Sequence, residues 1–118
     1  MIRDFFLGFV KIHILHHAAQ EPIYGLAMIE ELQRHGYDVS PGTIYPLLHG
    51  LESDGYLSRE NRVVGGRVRK YYAITATGRA ALVEARAKIV ELTREVVEGH
   101  GPSRLPEPEV AEIEGGAE

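Results

Sequence analysis

Apolar side chains recur almost without interruption from Ile2 to Ala19, where Phe5, Phe6, Leu7, Phe9, Val10, Ile12, Ile14 and Leu15 leave no polar face. A helix that is apolar all round is covered on more than one side. In so short a chain the second cover is expected from another subunit, with Phe5, Phe6 and Phe9 as candidate contacts. Glu21-Pro22 breaks the run. From Tyr24 to His35 the pattern predicts a second helix that turns Leu26, Ile29 and Leu32 inward and ends at Gly36. A third helix is predicted from about Pro41 to Asp54, with Ile44, Leu47, Leu48 and Leu51 on its inner face. Ser40 stands at its N-cap and Pro41 at its first position.

The period then changes. Tyr56 to Val64 and Arg67 to Ala73 are β-capable runs on either side of Gly65-Gly66, which predicts a hairpin. Thr75 caps a last helix reaching about Glu98, whose Leu82, Ala85, Ile89, Leu92 and Val96 alternate three and four residues apart. That is a coiled-coil-like seam of roughly two heptads, suited to a dimer arm. The expected fold is mainly α with a small β-hairpin. A winged helix-turn-helix with its N-terminal helix takes residues 1–75, a C-terminal dimerisation helix 76–99, and a disordered acidic tail 100–118.

Composition narrows the function classes. The chain has 118 residues, enough for one domain with a modest core. It has no cysteine, which excludes disulfides, thiolate catalysis and cysteine-ligated zinc. No stretch reaches the ~18 apolar residues of a membrane span. FFLGFV, between Asp4 and Lys11, is too short and wrongly flanked for a signal peptide, so the expected location is cytoplasmic with no membrane partner. No phosphate-binding glycine loop and no nucleophile–base spacing is present, so an enzyme is not expected.

The net charge of −4 changes meaning once it is divided along the chain. From Gly101 onward lie five of the 17 acidic residues and one of the 13 basic ones, leaving a body balanced at twelve of each. Within that body Arg59, Arg62, Arg67, Arg69 and Lys70 fall in twelve residues beside a single acid, Glu60. Local clustering decides where a polyanion docks.

The third helix has a beginning that a plain structural helix avoids: Pro41, Gly42 and Pro46 all lie in its first two turns. With the leucines inward, Gly42, Pro46, His49 and Ser53 fall on the opposite face, flanked by Thr43 and Tyr45. A recognition helix inserts its N-terminal part into the major groove, and its bare amides suit a phosphate. The candidate DNA contacts on this helix are Ser40, Gly42, Thr43, Tyr45, Pro46 and His49. On the hairpin they are Arg62, Gly66, Arg67, Arg69 and Lys70, near a tip suited to the minor groove. Neighbours on a strand alternate faces, so Arg69 and Lys70 point apart, and Arg67 with Arg69 is the favoured pair. The plainer alternatives stay open: a simple cap and kink in the helix, and a solvated charged hairpin. A winged helix that holds a protein partner without binding DNA is the competing function.

HILHH places His13 and His17 at i, i+4 with His16 between them, a spacing by which one helical face can chelate a divalent ion. Two imidazoles do not close a site, so Gln20, a carboxylate or a partner's histidine would have to complete it. Interface histidines or a pH-sensitive patch are the alternatives. No cofactor is required, and a divalent metal enters only as a possible effector.

The segments SPGTIYPLLHGLESDGYL and RKYYAITATGRAAL closely resemble the PadR family of bacterial transcriptional regulators. The matching residues are Pro41, Gly42, Thr43, Tyr45 and Pro46, then Leu51, Glu52 and Gly55, then Tyr72, Thr75 and Gly78. YGLAMIEEL, Tyr24 to Leu32, is similar to the family's Tyr-Gly helix, and the single C-terminal helix to its smaller subfamily. The resemblance implies a homodimeric repressor, less often an activator, whose affinity for a pseudo-palindromic double-stranded operator changes with a small-molecule or metal effector. The chain has no tryptophan and no aromatic after Tyr72, so stacking of flat drugs between the last helices is not expected.

Overall fold

The computed structural model describes residues 2–99 and Leu105; the acidic tail expected over 100–118 otherwise lies outside the described residues. In chain order the elements are α1 (Ile2–Ala18), α2 (Gly25–Arg34), α3 (Pro41–Ser53), β1 (Leu57–Val64), β2 (Arg67–Ile74) and α4 (Ala76–Leu92). A π-helical turn over Thr93–Val97 follows α4. This is a winged helix-turn-helix: α2 and α3 form the helical pair, β1 and β2 the wing. The described residues divide into two units, the first ending at Arg86 and the second beginning at Ala87.

The core of the first unit draws on every element. Val10, Ile14, Leu15 and Ala18 come from α1, Met28, Ile29 and Leu32 from α2, and Ile44, Leu48 and Leu51 from α3. Leu57 and Tyr72 of the hairpin and Leu82 of α4 close it. Each large side chain so buried contributes ~1.5–3 kcal/mol. Leu47 packs half-buried at the edge. Leu26, expected inside, is instead 53% exposed. The α2 stripe runs through Gly25, Met28, Ile29 and Leu32, the i, i+3, i+4, i+7 spacing of one face, and Leu26 lies outside it.

Two backbone devices set the wing. After α3 the chain turns at Gly55, whose φ of +87° lets the Tyr56 amide donate back to the Leu51 carbonyl at 2.9 Å. At the wing tip Gly65 and Gly66 take φ of +60° and +80°, the type I′ turn that suits the twist of a two-residue hairpin. The register then runs from Val64 opposite Arg67 down to Leu57 opposite Ile74. Ile23, between α1 and α2, pairs with Tyr72 as a one-residue third strand.

Thr75 ties the wing to α4. Its hydroxyl donates to the Gly55 carbonyl at 2.6 Å and accepts from the Gly78 amide at 3.0 Å, while its own amide donates to the Tyr56 carbonyl at 3.1 Å. The end of α3, the start of β1 and the first turn of α4 thus meet in one knot of hydrogen bonds.

The residues expected at a dimer interface fall into distinct settings. Leu82 is 2% exposed within the chain's own core, so it has no side-chain surface left for a partner. Phe6 is half-buried against the Tyr37 ring, 5.4 Å between centroids, and Ala85 is also half-buried. Phe5 and Phe9 of α1 are exposed. In the second unit Ile89, Leu92 and Val96 are exposed, together with Val90 and Val97.

Candidate nucleic-acid interface

Because Ile44, Leu48 and Leu51 are buried, the other side of α3 is left to solvent, and Gly42, Tyr45, Pro46, His49 and Gly50 are exposed there. Thr43 is half-buried. Ser40 occupies the N-cap with extended backbone, but its hydroxyl makes no cap hydrogen bond; its carbonyl accepts the Thr43 and Ile44 amides at 3.0 Å each. Pro41 brings no N–H. No side chain therefore covers the start of the helix. A methyl group built on Gly42 would find nothing nearer than the Ser40 hydroxyl at 3.7 Å, so the approach to the backbone is open.

Tyr45 lies across the beginning of α2. A Cβ on Gly25 would stand 2.4 Å from the Tyr45 ring, so glycine there is what lets the ring lie against the helix end. Tyr45, Leu26, Val68, Lys70 and Arg69 line one cleft with Tyr24 and Gly25. The exposed edge of α3 and the wing thus share a surface.

Register decides which cations act together. Arg62 faces Arg69 and Val64 faces Arg67 across the hairpin, which places Arg62, Arg67 and Arg69 on one side. Lys70, opposite Asn61, points to the other side, the one that carries Leu57 and Tyr72 into the core. The Glu60 carboxylate accepts from the Arg62 Nε at 2.7 Å. Arg59 reaches across to Glu52 of α3 at 3.8 Å.

The sequence reading missed two tyrosines. Tyr71 is half-buried beneath the Arg62 guanidinium, 4.3 Å from its ring centroid. Tyr24 carries the Arg69 guanidinium at 4.1 Å, and the two rings meet edge to face at 5.3 Å. Hydrogen bonding to the Tyr71 side chain holds the Arg69 pKa above its usual value. The spacing of arginine and tyrosine on β2 carried half of this signal; the arrival of Tyr24 depends on the Ile23–Tyr72 bridge.

The histidines of α1 take different partners. His16 meets the Gln20 side chain at 3.1 Å and the Arg86 guanidinium at 3.4 Å. His13 and His17 instead face α2 and the turn after it. The His13 ring lies 5.5 Å from that of His35, and the His17 Nε2 is 3.5 Å from Glu31. His35 reaches the same carboxylate at 2.8 Å, and Arg34 pairs with it as well. The His16 and His17 rings nevertheless meet edge to face, 5.0 Å between centroids. Among the described residues no group of three or more histidines or carboxylates is placed to hold a metal ion. The expected ligand set His13, His16 and His17 does not converge.

Burial pushes the His13 and His17 pKa values below 6.5; at His13 the neighbouring histidines add to this, and at both Glu31 opposes it. Hydrogen bonds from Arg34 and then His35 hold the Glu31 carboxyl below its usual range. The sign is the same for all three groups: the unfolded chain binds their protons more readily than the folded one. Stability is therefore full above the unfolded pKa and is lost as pH falls through the folded value. A melting temperature level above pH 6.5 and declining below it is expected. Replacing His13 and His17 by Gln should flatten that decline, which circular-dichroism melts across the range will check.

Residues 14–84 match the family described as "Transcriptional regulator PadR-like family". The chain is 54% identical over 98 residues to a transcriptional regulator of Mycobacterium tuberculosis, covering 83% of this chain and 92% of that one. A solved structure of a PadR family transcriptional regulator from Eggerthella lenta is 34% identical, with a TM-score of 0.72 over 83% of this chain and 87% of the other. A PadR-like transcriptional regulator from Bacillus cereus is 31% identical, with a TM-score of 0.67 over 80% and 95%.

Proposed function

We infer the function from one premise: this chain belongs to the PadR-like family of transcriptional regulators. It is a transcriptional regulator and not an enzyme, in keeping with its relatives. Among the described residues no helix is long and apolar enough to cross a membrane.

On our reading the protein is a homodimer that binds a pseudo-palindromic duplex and represses transcription until a small molecule or a metal ion releases it. The observation that carries the DNA part is the shared cleft in which the exposed edge of α3, through Tyr45, adjoins the wing residue Arg69. The uncovered start of α3 at Gly42, with its one backbone amide, suits a phosphate. Thr43, Tyr45, Pro46 and His49 present hydroxyl, imidazole and apolar groups for base edges, and Arg62, Arg67 and Arg69 neutralise the backbone. Two-fold symmetry would then set the spacing of half-sites. For the dimer the supporting observations are two exposed apolar surfaces: Phe5 and Phe9 in the first unit, and Ile89, Leu92 and Val96 in the second.

The test is a mobility shift on the DNA upstream of the protein's own gene, repeated with Zn²⁺, Cd²⁺, Ni²⁺ and small aromatic compounds. A shifted band relieved by one of these additions is the expected result. A response to metal that disappears in His13→Ala/His17→Ala would assign the effector to a metal. No shift at low salt under any addition would favour a protein partner over DNA.

A further inference from the structure

Ile23 gives and receives a backbone hydrogen bond with Tyr72, at 2.9 and 2.7 Å, and so fixes the next residue, Tyr24, beside the wing. The Arg69 guanidinium lies 4.1 Å over the Tyr24 ring, the Arg62 guanidinium lies 4.3 Å over the Tyr71 ring, and the rings themselves are in contact. Arg62 and Arg69 are direct cross-strand partners, an arrangement in which like charges repel. The ring faces and the Glu60 carboxylate answer that repulsion by giving each guanidinium an electron-rich neighbour.

We propose that Tyr24 is a positioning residue of the DNA interface: its ring, backed by Tyr71, holds the Arg69 guanidinium in place for a backbone phosphate. The proposal rests on the DNA-binding reading above and assigns one contact within it. The Arg69 guanidinium is held through its face by Tyr24 and through a hydrogen bond by the Tyr71 side chain, and of its five N–H donors the remainder stay available to phosphate oxygens. Fixing it before the encounter removes part of the rotamer entropy that a free arginine loses on binding. A cation held in one place cannot follow different base edges, so the contact serves all sequences alike.

Duplexes selected from random DNA by the wild-type protein provide the probe, with an unrelated duplex beside them. Fluorescence anisotropy then gives Kd for wild type, Tyr24→Phe, Tyr24→Leu, Arg69→Ala and the double variant Tyr24→Leu/Arg69→Ala. Tyr24→Phe keeps the ring and should bind as wild type does, within about twofold, whereas Tyr24→Leu should bind both duplexes about two- to fivefold more weakly. Once Arg69 is alanine, Tyr24→Leu should cost nothing further. Equal losses with and without Arg69 would make the ring a purely structural element and overturn the proposal. Should Tyr24→Leu not fold, Arg69→Lys decides, because it keeps the charge without the planar stack. Wild-type affinity in Arg69→Lys overturns the proposal, and a loss beyond about twofold supports it. A wild-type protein that selects no duplex and binds none at low salt fails the DNA-binding reading itself, and the positioning role with it.

Discussion

Gly78→Ala is expected to destabilise the protein by about 3 kcal/mol, lowering the melting temperature by roughly 10–20 °C. In a free helix the same change stabilises by about 1 kcal/mol, so the expected sign is reversed. Gly78 stands in the first turn of α4, where an added Cβ would lie 2.2 Å from the Tyr56 carbonyl oxygen and 2.8 Å from the Ile74 side chain. The side chain could move aside; the carbonyl cannot, because it accepts the Thr75 amide within the knot that joins the wing to α4. Relief requires a shift of the whole first turn of α4 or of the start of β1. Circular-dichroism melts will measure it. A variant as stable as wild type would show that the junction yields, contrary to its tight hydrogen bonding.

The second large effect is on binding. Arg67→Ala/Arg69→Ala should weaken association with DNA about 10- to 100-fold near physiological salt, for operator and unrelated duplex alike. Two phosphate contacts removed should also reduce the slope of log Kd against log salt by about 1.8. Thr43 and His49, exposed or half-exposed on α3, should behave in the opposite manner: their replacement changes the preferred sequence and leaves that slope near its wild-type value. Anisotropy titrations at several salt concentrations separate the two behaviours. If the double arginine variant bound with wild-type affinity and slope, this face of the wing would not meet the DNA backbone.

Much of the fold was legible because its signals are local. The breaker at Glu21-Pro22, the Ser40-Pro41 start of α3 and the Gly65-Gly66 tip lie at or within three residues of the observed boundaries. The alternating strand pattern likewise separated Arg69 from Lys70, and the register bears this out. Where the reading went astray, the missing information was spatial. Leu26 and Met28 are both apolar and two residues apart, and only the packing of α2 against α1 and α3 chooses Met28 for the core. Leu82 has the spacing of the seam beside Ala85 and Ile89, yet the first unit's core takes it. The three histidines of α1 looked like one ligand set, but His17 pairs with Glu31 and His16 with Arg86 even though their own rings touch, and no group of three is placed for an ion among the described residues.

The order of residues by itself determined the elements, their ends and the grouping of positive charge, since helix caps, turn glycines and side-chain periodicity act over a few bonds of chain. Tertiary structure alone decided that Tyr24, 45 residues before Arg69, would lie beneath its guanidinium, and that Gly78 would face the Tyr56 carbonyl. Those contacts join segments with no local relation, and they exist because burying one shared core fixes where every helix and strand must stand.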